Sequence, residues 1–425
     1  MLQISFIREN REKTIKGLQK RHYPDAESAV SLIIEKDQQR RSTQTELDQT
    51  LSASKSISKK IGLLMKEGKK QGAEAAKQET SYLKDKSKAL AEALKQYELE
   101  LEQMLYNVPN LPSAQVPEGR SAQDNVVAYK HGKLPPLTDE ARPHWELIEE
   151  YQIVDFELGN KITGAGFPVY KGQGARLQRA LINFFLDEAI RAGYYEVQPP
   201  IVINEDSGYG TGQLPDKEGQ MYQLTEEKLY LIPTAEVPIT NLYRNTILKE
   251  DQLPIRNVGH TPCFRREAGS WGSHVRGLNR LHQFDKVEIV SIQKPEDSYQ
   301  ALEDMALHIR SLLEKLELPY RVLHLCAGDM GFTSAITYDM EVYSAAQKKW
   351  LEVSSVSNFE TYQSNRLKLR YKDKDNQTQL LHTLNGSALA LPRIVAALLE
   401  NNQGAQGIKI PEVLQPYTGF SKISK

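Results

Sequence analysis

Two neighbouring segments combine charged, aromatic and small residues at spacings that suit chemistry on a phosphate. Residues 261–269 read TPCFRREAG, and residues 281–288 read LHQFDKVE. Both patterns predict strands, separated by a charged loop that is rich in glycine. Because alternate residues of a strand share a face, we expect Arg265 and Glu267 to point the same way. The first strand would thus present a cation for phosphate beside a carboxylate.

The second strand adds an aromatic ring and two more charges to one face. Phe284, Lys286 and Glu288 alternate along it, and Phe284 and Glu288 are roughly 13 Å apart at the rise of a strand. That distance is about the reach of a nucleotide joined through its phosphate to a small amino acid. A flat ring for a base, an arginine for phosphate and carboxylates for an amine predict a surface on which an aminoacyl-adenylate forms.

Two further segments could complete such a site, although each also has an ordinary structural interpretation. Pro392 favours the first turn of a helix, so Arg393 should lie at a helix N-terminus. The helix dipole opposes a cation there unless an anion binds as well; a nearby carboxylate would explain Arg393 equally well. Glu352 and Ser355 offer the oxygen ligands that Mg²⁺ prefers. A glutamate near serines at a strand end is also common on ordinary surfaces.

Two polar segments could hold a small zwitterion. Thr234, Ala235 and Glu236 precede a proline and a short helical pattern, where a hydroxyl, a carboxylate and free backbone groups lie together. The same residues could simply cap the following helix. Residues 385–387, which read NGS and end in Ser387, leave the same choice open between a turn and a ligand contact.

Composition excludes several classes of protein. The chain has 425 residues, more than one ordinary domain, and its 54 basic and 55 acidic residues almost cancel. Any binding of nucleic acid must therefore depend on local patches. Cys263 and Cys326 are the two cysteines, and their spacing fits neither a disulfide framework nor a zinc site. With no signal core and no membrane-length apolar run, we expect a protein of the reducing cytoplasm, without a membrane segment.

Residues 1–106 are predicted to form an arm. Helical periodicity over residues 27–65 and 73–106, broken at Gly68 and Gly72, predicts an antiparallel two-helix coiled-coil hairpin, roughly 50–60 Å long. The second helix has a predicted seam of Ala76, Thr80, Leu83, Ser87, Leu90, Leu94, Tyr97, Leu101 and Met104. The first has a matching seam of Val30, Ile33, Leu47, Leu51, Ile61 and Met65. Lysines outnumber acids near the tip, which indicates either a solvated face or a grip on a phosphate backbone.

The remainder of the chain is predicted to be globular. Residues 107–120 contain three prolines without periodicity and read as a linker. Residues 121–425 contain a helix over 175–192, a strand over 194–204, further strand candidates and a terminal strand-to-helix unit over 384–401. Strands without regular alternation with helices predict an α+β domain, with a mostly antiparallel sheet flanked by helices.

These motifs, in this order, resemble those of the bacterial-type seryl-tRNA synthetases, a family of class II aminoacyl-tRNA synthetases. The resemblance covers essentially the whole chain. The segment that ends in the strand with Pro200 resembles motif 1 at the dimer interface, residues 261–288 resemble motif 2, and residues 384–393 resemble motif 3. The segments IPTAEVP and EVSS and the N-terminal hairpin also match. One departure is Pro392, where the family often has glycine.

The resemblance implies a role for each candidate residue. Arg265 and Arg393 would be the catalytic cations, on the α-phosphate and at the γ-phosphate end of ATP. The implied ATP-binding residues are Arg265, Arg266, Glu267, Phe284, Glu352, Val353, Ser354, Ser355 and Arg393. Glu352 and Ser355 would hold Mg²⁺. The implied serine-binding residues are Thr234, Ala235, Glu236, Arg265, Glu288 and Ser387.

The implied function is a serine–tRNA ligase, which forms seryl-adenylate from L-serine and ATP and transfers the seryl group to tRNA(Ser). The resemblance extends this to tRNA(Sec), where the organism has that tRNA, and implies a homodimer. One alternative is an amino acid:carrier-protein ligase of the same superfamily, whose members lack the long hairpin. Another is a coiled-coil interaction protein with a degenerate body, against which the retained set of charged residues argues.

Overall fold

The computed structural model describes residues 1–135, 141–267 and 276–425. These residues form two compact units, one of residues 2–109 and the other of residues 110–425 together with Met1.

The unit of residues 2–109 is helical. Its helices are α1 (Ile4–Glu9), α2 (Arg11–Lys20), α3 (Ala26–Lys66) and α4 (Lys70–Tyr106). Helices α3 and α4 pack along each other, and the ion pairs Lys36–Glu100 and Glu46–Lys86 show that they run antiparallel. The predicted two-helix hairpin is confirmed, whereas the short helices α1 and α2 were not predicted.

The seam of the hairpin is as predicted in one helix and displaced in part of the other. In α4 the buried seam residues include Ala76, Leu94 and Leu101. In α3 the prediction is wrong at Leu51 and Met65, which are 50% and 55% exposed. Alternating steps of three and four from the buried Leu47 lead instead to Thr50, which is buried, and to Leu64, which is half-buried. The apolar residues Leu51 and Met65, each one position after a true seam residue, fit the apolar pattern but lie on the exposed side of the helix.

The unit of residues 110–425 is built on an eight-stranded sheet. In spatial order its strands are β1 (Val126–His131), β11 (Tyr320–His324), β12 (Ile336–Ser344), β13 (Lys349–Asn358), β16 (His382–Ala390), β10 (Gln283–Gln293), β9 (Ile255–Phe264) and β4 (Tyr195–Glu196). Neighbours pair antiparallel, except that β4 runs parallel to β9. The predicted mostly antiparallel sheet is confirmed.

Helices and short strands surround this sheet. The helices are α5 (His144–Glu150), α6 (Phe156–Ile162), α7 (Gly172–Arg191), α8 (Glu205–Thr211), α9 (Glu236–Asn241), α10 (Ser298–Lys315), α11 (Thr361–Leu367), α12 (Leu391–Asn401) and α13 (Gln415–Thr418). The short strands are β2 (Val154–Asp155), β3 (Val169–Tyr170), β5 (Val202–Asn204), β6 (Gln223–Leu224), β7 (Leu229–Leu231), β8 (Ile247–Lys249), β14 (Arg370–Lys372), β15 (Thr378–Leu380), β17 (Gln403–Gly404), β18 (Gly407–Lys409) and β19 (Lys422–Ile423).

The two faces of the large sheet have different chemistry. Val287 and Ile289 of β10 and Val356 of β13 lie in the main apolar core, which also contains residues of helices α7, α10 and α12. Because side chains alternate along a strand, Lys286 and Glu288 lie on the opposite face. One face therefore packs against helices, and the other, called here the polar face, carries the candidate site residues of β10.

The single strand predicted over residues 194–204 is wrong. Only Tyr195–Glu196 and Val202–Asn204 are strand, in different sheets. Pro199 and Pro200 stand between them, and proline has no backbone N–H to continue a ladder. The helix predicted over 175–192 is confirmed as α7, and the strand-to-helix unit over 384–401 is confirmed as β16 followed by α12.

Candidate active site

Three side chains of β10 line the polar face: the Phe284 ring, the Lys286 ammonium group and the Glu288 carboxylate. Lys286 Nζ lies 2.7 Å from Glu288 Oε2, and the two side chains are only 7% and 2% exposed. Away from water each charge depends on the other, so the pair is a fixed electrostatic feature rather than a surface contact. The Arg265 guanidinium lies 5.3 Å from the centre of the Phe284 ring, within the range of a cation–π contact.

The expectation that Arg265 and Glu267 share a face of one strand is wrong. Strand β9 ends at Phe264, and Glu267 has a left-handed backbone with φ of 47°. Arg265 still continues the hairpin, because its N–H donates to the His282 carbonyl over 2.9 Å. Glu267 instead lies 3.2 Å from Arg280, on the returning limb of the hairpin. Because the backbone turns at Glu267, its carboxylate does not follow the alternation of side chains along β9.

A compact polar pocket lies further along β10. Thr234 Oγ1 donates to Glu288 Oε2 over 3.2 Å and accepts from the Glu236 N–H over 3.3 Å. Ser387 lies opposite Glu288 in the register of β10 and β16. All four residues are buried. The Thr234 hydroxyl thus bonds both to the backbone at the start of α9 and to Glu288 on β10.

Glu236 has unusual electrostatics. Burial raises its pKa to about 7, in spite of a hydrogen bond from Gln363, and the charge of Glu288 adds to the rise. Gln363 Nε2 lies 2.7 Å from Glu236 Oε1, and Thr383 Oγ1 donates to Gln363 Oε1 over 2.7 Å. These bonds fix which way the Gln363 amide points. The pocket can therefore hold Glu236 as a carboxylate or as an acid near neutral pH.

An acidic group lies on β12 and β13. Asp339 faces Ser355 across the two strands. Burial raises the pKa of Asp339 well above its ordinary value, the charge of Glu352 adds to this, and a hydrogen bond from Ser355 opposes it. Asp339 Oδ1 is buried and has no hydrogen-bond partner within the described part of the chain. A cation would relieve this concentration of negative charge.

The donor set suits Mg²⁺. Carboxylate and hydroxyl oxygens are its preferred ligands, and it usually keeps water and substrate phosphates as further ligands. Residues 1–135, 141–267 and 276–425 contain no ready group of three or more acidic, histidine or cysteine ligands. Glu352 and Ser355, with the orphaned oxygen of Asp339 beside them, therefore fit an ion shared with a nucleotide better than a permanently caged ion.

Arg393 lies at the start of α12, as predicted from Pro392. Its NH1 donates to the Glu352 carbonyl over 2.6 Å, and its Nε donates to the Asn279 carbonyl over 3.2 Å. The Glu352 carboxylate is 3.7 Å away but is 51% exposed, which weakens that ion pair. The guanidinium is thus aimed by two backbone carbonyls, and it has further N–H donors that could bind an anion.

The remaining predicted residues contribute mainly through packing or backbone. Ala235 packs with Ile239 and Val290 in a small apolar cluster, and Val353 lies in the main core. Ser354 Oγ donates to the Ser387 carbonyl over 2.6 Å. Any contact of Ala235 or Val353 with a ligand would involve backbone atoms. Arg266 is exposed, and its N–H donates to the Gln220 carbonyl over 2.9 Å.

Several residues of the site were missed by the sequence analysis. Lys286 was placed on the right face by strand alternation but was given no role. Residues 385–387 left a turn and a ligand contact equally open, and in the structure Asn385 is close enough to Glu236 to lower the pKa of that carboxyl. Gln363 and Asp339 had no local signal, because they reach the site only when α11 and β12 pack beside it. Residues 268–275, which include the glycines of the hairpin loop up to Gly272, lie outside the described residues.

The fold and the site define the class of protein. Residues 220–402 match the class II core domain of the tRNA synthetases for G, H, P, S and T. The mostly antiparallel sheet flanked by helices is consistent with a class II catalytic domain.

Closer comparisons define the family. Residues 1–112 match the seryl-tRNA synthetase N-terminal domain. A serine–tRNA ligase from Salinibacter ruber is 51% identical over 396 residues, 93% of this chain and 92% of the relative. The chain belongs to the seryl-tRNA synthetase family.

Solved structures agree over the full length. The seryl-tRNA synthetase of Pyrococcus horikoshii, complexed with ATP, has a TM-score of 0.94 at 32% identity and covers 100% of this chain and 99% of its own. The cytoplasmic serine–tRNA ligase of Naegleria fowleri, in complex with AMP, has a TM-score of 0.88 at 26% identity, with the same coverage. Separately, none of the described helices is both long enough and apolar enough to span a membrane.

Proposed function

We propose that this enzyme is an ATP-dependent ligase that joins L-serine to tRNA(Ser). One observation carries the proposal. The β9–β10 strand pair carries two groups on one face. One is the Arg265 guanidinium over the Phe284 ring, and the other is the buried pocket around Glu288. The ring and the carboxylate are separated by roughly the length of an aminoacyl-adenylate.

In the first step, a carboxylate oxygen of serine attacks the α-phosphorus of ATP. A new P–O bond forms, the bond to the bridging oxygen of pyrophosphate breaks, and pyrophosphate leaves. Phe284 stacks on the adenine, Glu267 contacts its edge, Arg265 binds the α-phosphate and the serine carboxylate, and Arg393 binds the γ-phosphate end. Positioning and charge stabilisation by these groups lower the barrier, since the protein takes part in no covalent chemistry.

Mg²⁺ bound by Glu352 and Ser355 would neutralise charge on the phosphates of ATP. The support for this assignment is the oxygen donor set and the orphaned carboxylate oxygen of Asp339 beside it. Residues three positions apart on a regular strand would face opposite ways, but β13 carries one extra residue against β12 between Ser354 and Glu352, and this bulge lets Glu352 and Ser355 share a face.

Selection of serine depends on the buried pocket. Thr234, Glu236, Glu288 and Ser387 offer hydroxyl and carboxylate groups to the ammonium and hydroxyl of the substrate. A pocket built to pair with a hydroxyl is left with unsatisfied polar groups when alanine enters, which discriminates strongly. Threonine would be excluded by volume, because the pocket residues are all buried.

In the second step, a hydroxyl of the terminal ribose of tRNA attacks the seryl carbonyl, and AMP leaves. The hairpin of α3 and α4, with exposed lysines near its tip, is the proposed binding element for tRNA. The same arm would accept tRNA(Sec), where the organism has it. The hairpin also distinguishes this proposal from a carrier-protein ligase, an alternative that the comparisons do not favour.

We further propose that the enzyme is a cytoplasmic homodimer. The two cysteines are free thiols and are buried, which suits a reducing compartment.

The family resemblance implies the dimer, and Tyr195 on the edge strand β4 is 73% exposed, as an interface residue would be in an isolated chain. Sedimentation velocity of the wild type and of Tyr195→Asp tests the dimer, which is expected to be weakened by the substitution.

Exchange of pyrophosphate into ATP with a panel of amino acids tests the activity. Serine is expected to support exchange, and Arg265→Ala is expected to abolish it or nearly so, because the α-phosphate loses its cation. Arg256→Ala is a matched control, since it removes an arginine from the opposite end of β9, where the side chain is 36% exposed and lies 4.0 Å from Asp304. Absence of exchange with every amino acid would refute the enzyme assignment, and loading of a carrier protein instead of tRNA(Ser) would favour the alternative.

A further inference from the structure

A buried polar network joins the end of helix α12 to the start of helix α5. Glu400 and His144 are both fully buried. Glu400 Oε1 lies 2.7 Å from His144 Nδ1 and accepts from the His144 backbone N–H over 3.0 Å. Gln347 Nε2 donates to the same oxygen over 2.8 Å, and Ser344 donates to the other. Burial alone raises the pKa of Glu400, but the bonds from His144 and Ser344 outweigh it and lower the pKa below its ordinary value.

The second nitrogen of His144 holds the polypeptide that returns from the motif 2 hairpin loop. The Leu278 N–H donates to His144 Nε2 over 2.8 Å. Nε2 must therefore be unprotonated, and Nδ1 carries the proton that is donated to Glu400. A neutral imidazole in this single tautomer connects the buried carboxylate to the loop.

The neighbouring residues show that this contact is closely fitted. Gly277 has a φ of 67°, and a Cβ there would lie 2.4 Å from His144 Nε2, so only glycine fits. The Arg276 guanidinium lies 5.2 Å from the centre of the Trp145 ring. Three consecutive residues, 276–278, thus contact the first two residues of α5.

The next residue connects this segment to the ATP site. The Asn279 carbonyl accepts from Arg393 Nε over 3.2 Å, and Asn279 Nδ2 donates to Gln347 Oε1 over 3.0 Å. Arg393 and Glu400 lie on the same helix, seven residues and about 10 Å apart. Residues 277–279 are therefore bonded to α12 at two places, directly through Arg393 and through His144 at Glu400.

We propose that His144 is a positioning residue for adenylate formation, which with Glu400 fixes residues 277–279 and, through the Asn279 carbonyl, the direction of Arg393. The proposal rests on the proposed role of Arg393 at the phosphates of ATP. A cation that is aimed before ATP arrives needs no reorganisation in the transition state, whereas a misplacement of about 1 Å can reduce the rate by about 100-fold.

Two substitutions separate the two bonds of His144. His144→Asn keeps a donor near Nδ1 for Glu400 but is too short to reach the Leu278 N–H. His144→Gln places an amide oxygen near Nε2 and can keep that bond. In serine-dependent pyrophosphate exchange by the full-length enzyme, we expect His144→Asn to raise the KM for ATP by about tenfold or to lower kcat comparably. We expect its KM for serine to stay within about twofold, and His144→Gln to retain more of the ATP-dependent activity.

A third variant guards against failure to fold. Gln347 is only half-buried, and Gln347→Met removes its bonds to Asn279 and Glu400 while keeping its volume. We expect a smaller change in the same direction, with the thermal midpoint close to that of the wild type. If Gln347→Met and His144→Asn fold but leave both kcat and the KM for ATP unchanged, the inference is overturned. Equal rises in KM for ATP and serine in every variant would also overturn it.

Arg393→Ala in the same assay separates this inference from the proposed function. If Arg393→Ala leaves the KM for ATP and kcat unchanged, the role of Arg393 is wrong and the inference falls with it. If Arg393→Ala impairs exchange and His144→Asn does not, only the positioning role of His144 is wrong. If the wild type shows no exchange with serine, the proposed function itself is wrong.

Discussion

Individual buried charges give the polar face its character. Lys286 and Glu288 are paired almost out of contact with solvent, and Glu236 lies close enough for its pKa to respond to both. Such groups lose much of their hydration on folding, and they are tolerated because each has a fixed partner. A ligand with an ammonium group and a carboxylate meets preformed charges there, which suits an amino acid.

Lys286→Met is expected to lower the free energy of unfolding by about 3–5 kcal/mol, because Glu288 would remain buried without its cation. Urea unfolding of the two proteins measures the difference. Lys294→Met is the matched control at the end of β10, where the lysine pairs with Glu250 and both side chains are about one quarter exposed. We expect about 1 kcal/mol or less from the control, and equal losses would contradict the argument.

Glu236→Gln is expected to remove a pH dependence of stability. Because the pKa of Glu236 is raised to about 7, its contribution to stability is present at acid pH and is lost as the pH rises through 7. The wild type should therefore lose about 2–3 kcal/mol relative to the variant between pH 5 and pH 8.

Urea unfolding of both proteins at several pH values measures the effect of Glu236→Gln. The variant keeps an amide oxygen to accept from Gln363, so its geometry should be preserved. Parallel pH profiles for the two proteins would show that Glu236 titrates as it does in water. Exchange of pyrophosphate with serine should fall in the variant, because the pocket loses a carboxylate for the ammonium.

At the scale of secondary structure, each element places residues through its own period. The two-residue period of β10 puts Val287 and Ile289 into the core, and Lys286 and Glu288 on the polar face. The seam of α4 repeats at steps of three and four and buries one stripe against α3. The buried side of such a strand or helix can be read from its own residues, because it follows from the order of apolar and polar side chains.

Leu101→Ala is expected to destabilise the hairpin by about 2–5 kcal/mol, because this seam residue is 5% exposed. Leu99→Ala, on the same helix and 46% exposed, is the control and should change stability by about 0.5 kcal/mol or less. Amide hydrogen exchange over residues 26–106 measures the local opening free energy. Similar effects of the two substitutions would show that α4 does not pack through this seam.

At the scale of the whole molecule, the two compact units have different surfaces. The unit of residues 2–109 exposes lysines near the break between α3 and α4, whereas the unit of residues 110–425 buries Glu236, Lys286 and Glu288 on and beside its sheet. A long charged arm suits a polyanion, and a buried pocket suits a small zwitterion. We therefore expect the two reaction steps to respond differently to substitutions in each unit.

Combined Lys59→Glu, Lys60→Glu and Lys66→Glu substitutions near the tip test this division. Charging of tRNA(Ser) should show a raised KM for tRNA and a salt dependence reduced by roughly one unit of slope for each lost phosphate contact. Pyrophosphate exchange should be unchanged. Lys372→Glu with Lys374→Glu, also exposed, is the control in the other unit. Equal charging by the tip variant and the wild type would refute the role of the arm.

Features that depend on neighbours along the chain can be predicted from the order of the residues alone. The alternation of residues 284–288, the seam of α4 and the placement of Arg393 after Pro392 follow from local periods and from the fixed backbone of proline. Local patterns failed where a single residue changed the backbone, as at Glu267 with its positive φ and at Pro199.

Which distant residues share the site depends on how the elements pack, and no local pattern predicts it. Gln363 reaches Glu236 across 127 positions, and His144 reaches Glu400 across 256. No local period encodes such contacts, because they exist only after helices and strands have packed. Burial and hydrogen-bond donors together then set the pKa of each buried carboxyl. Burial dominates at Glu236 and raises its pKa, whereas the donors around Glu400 outweigh burial and lower its pKa.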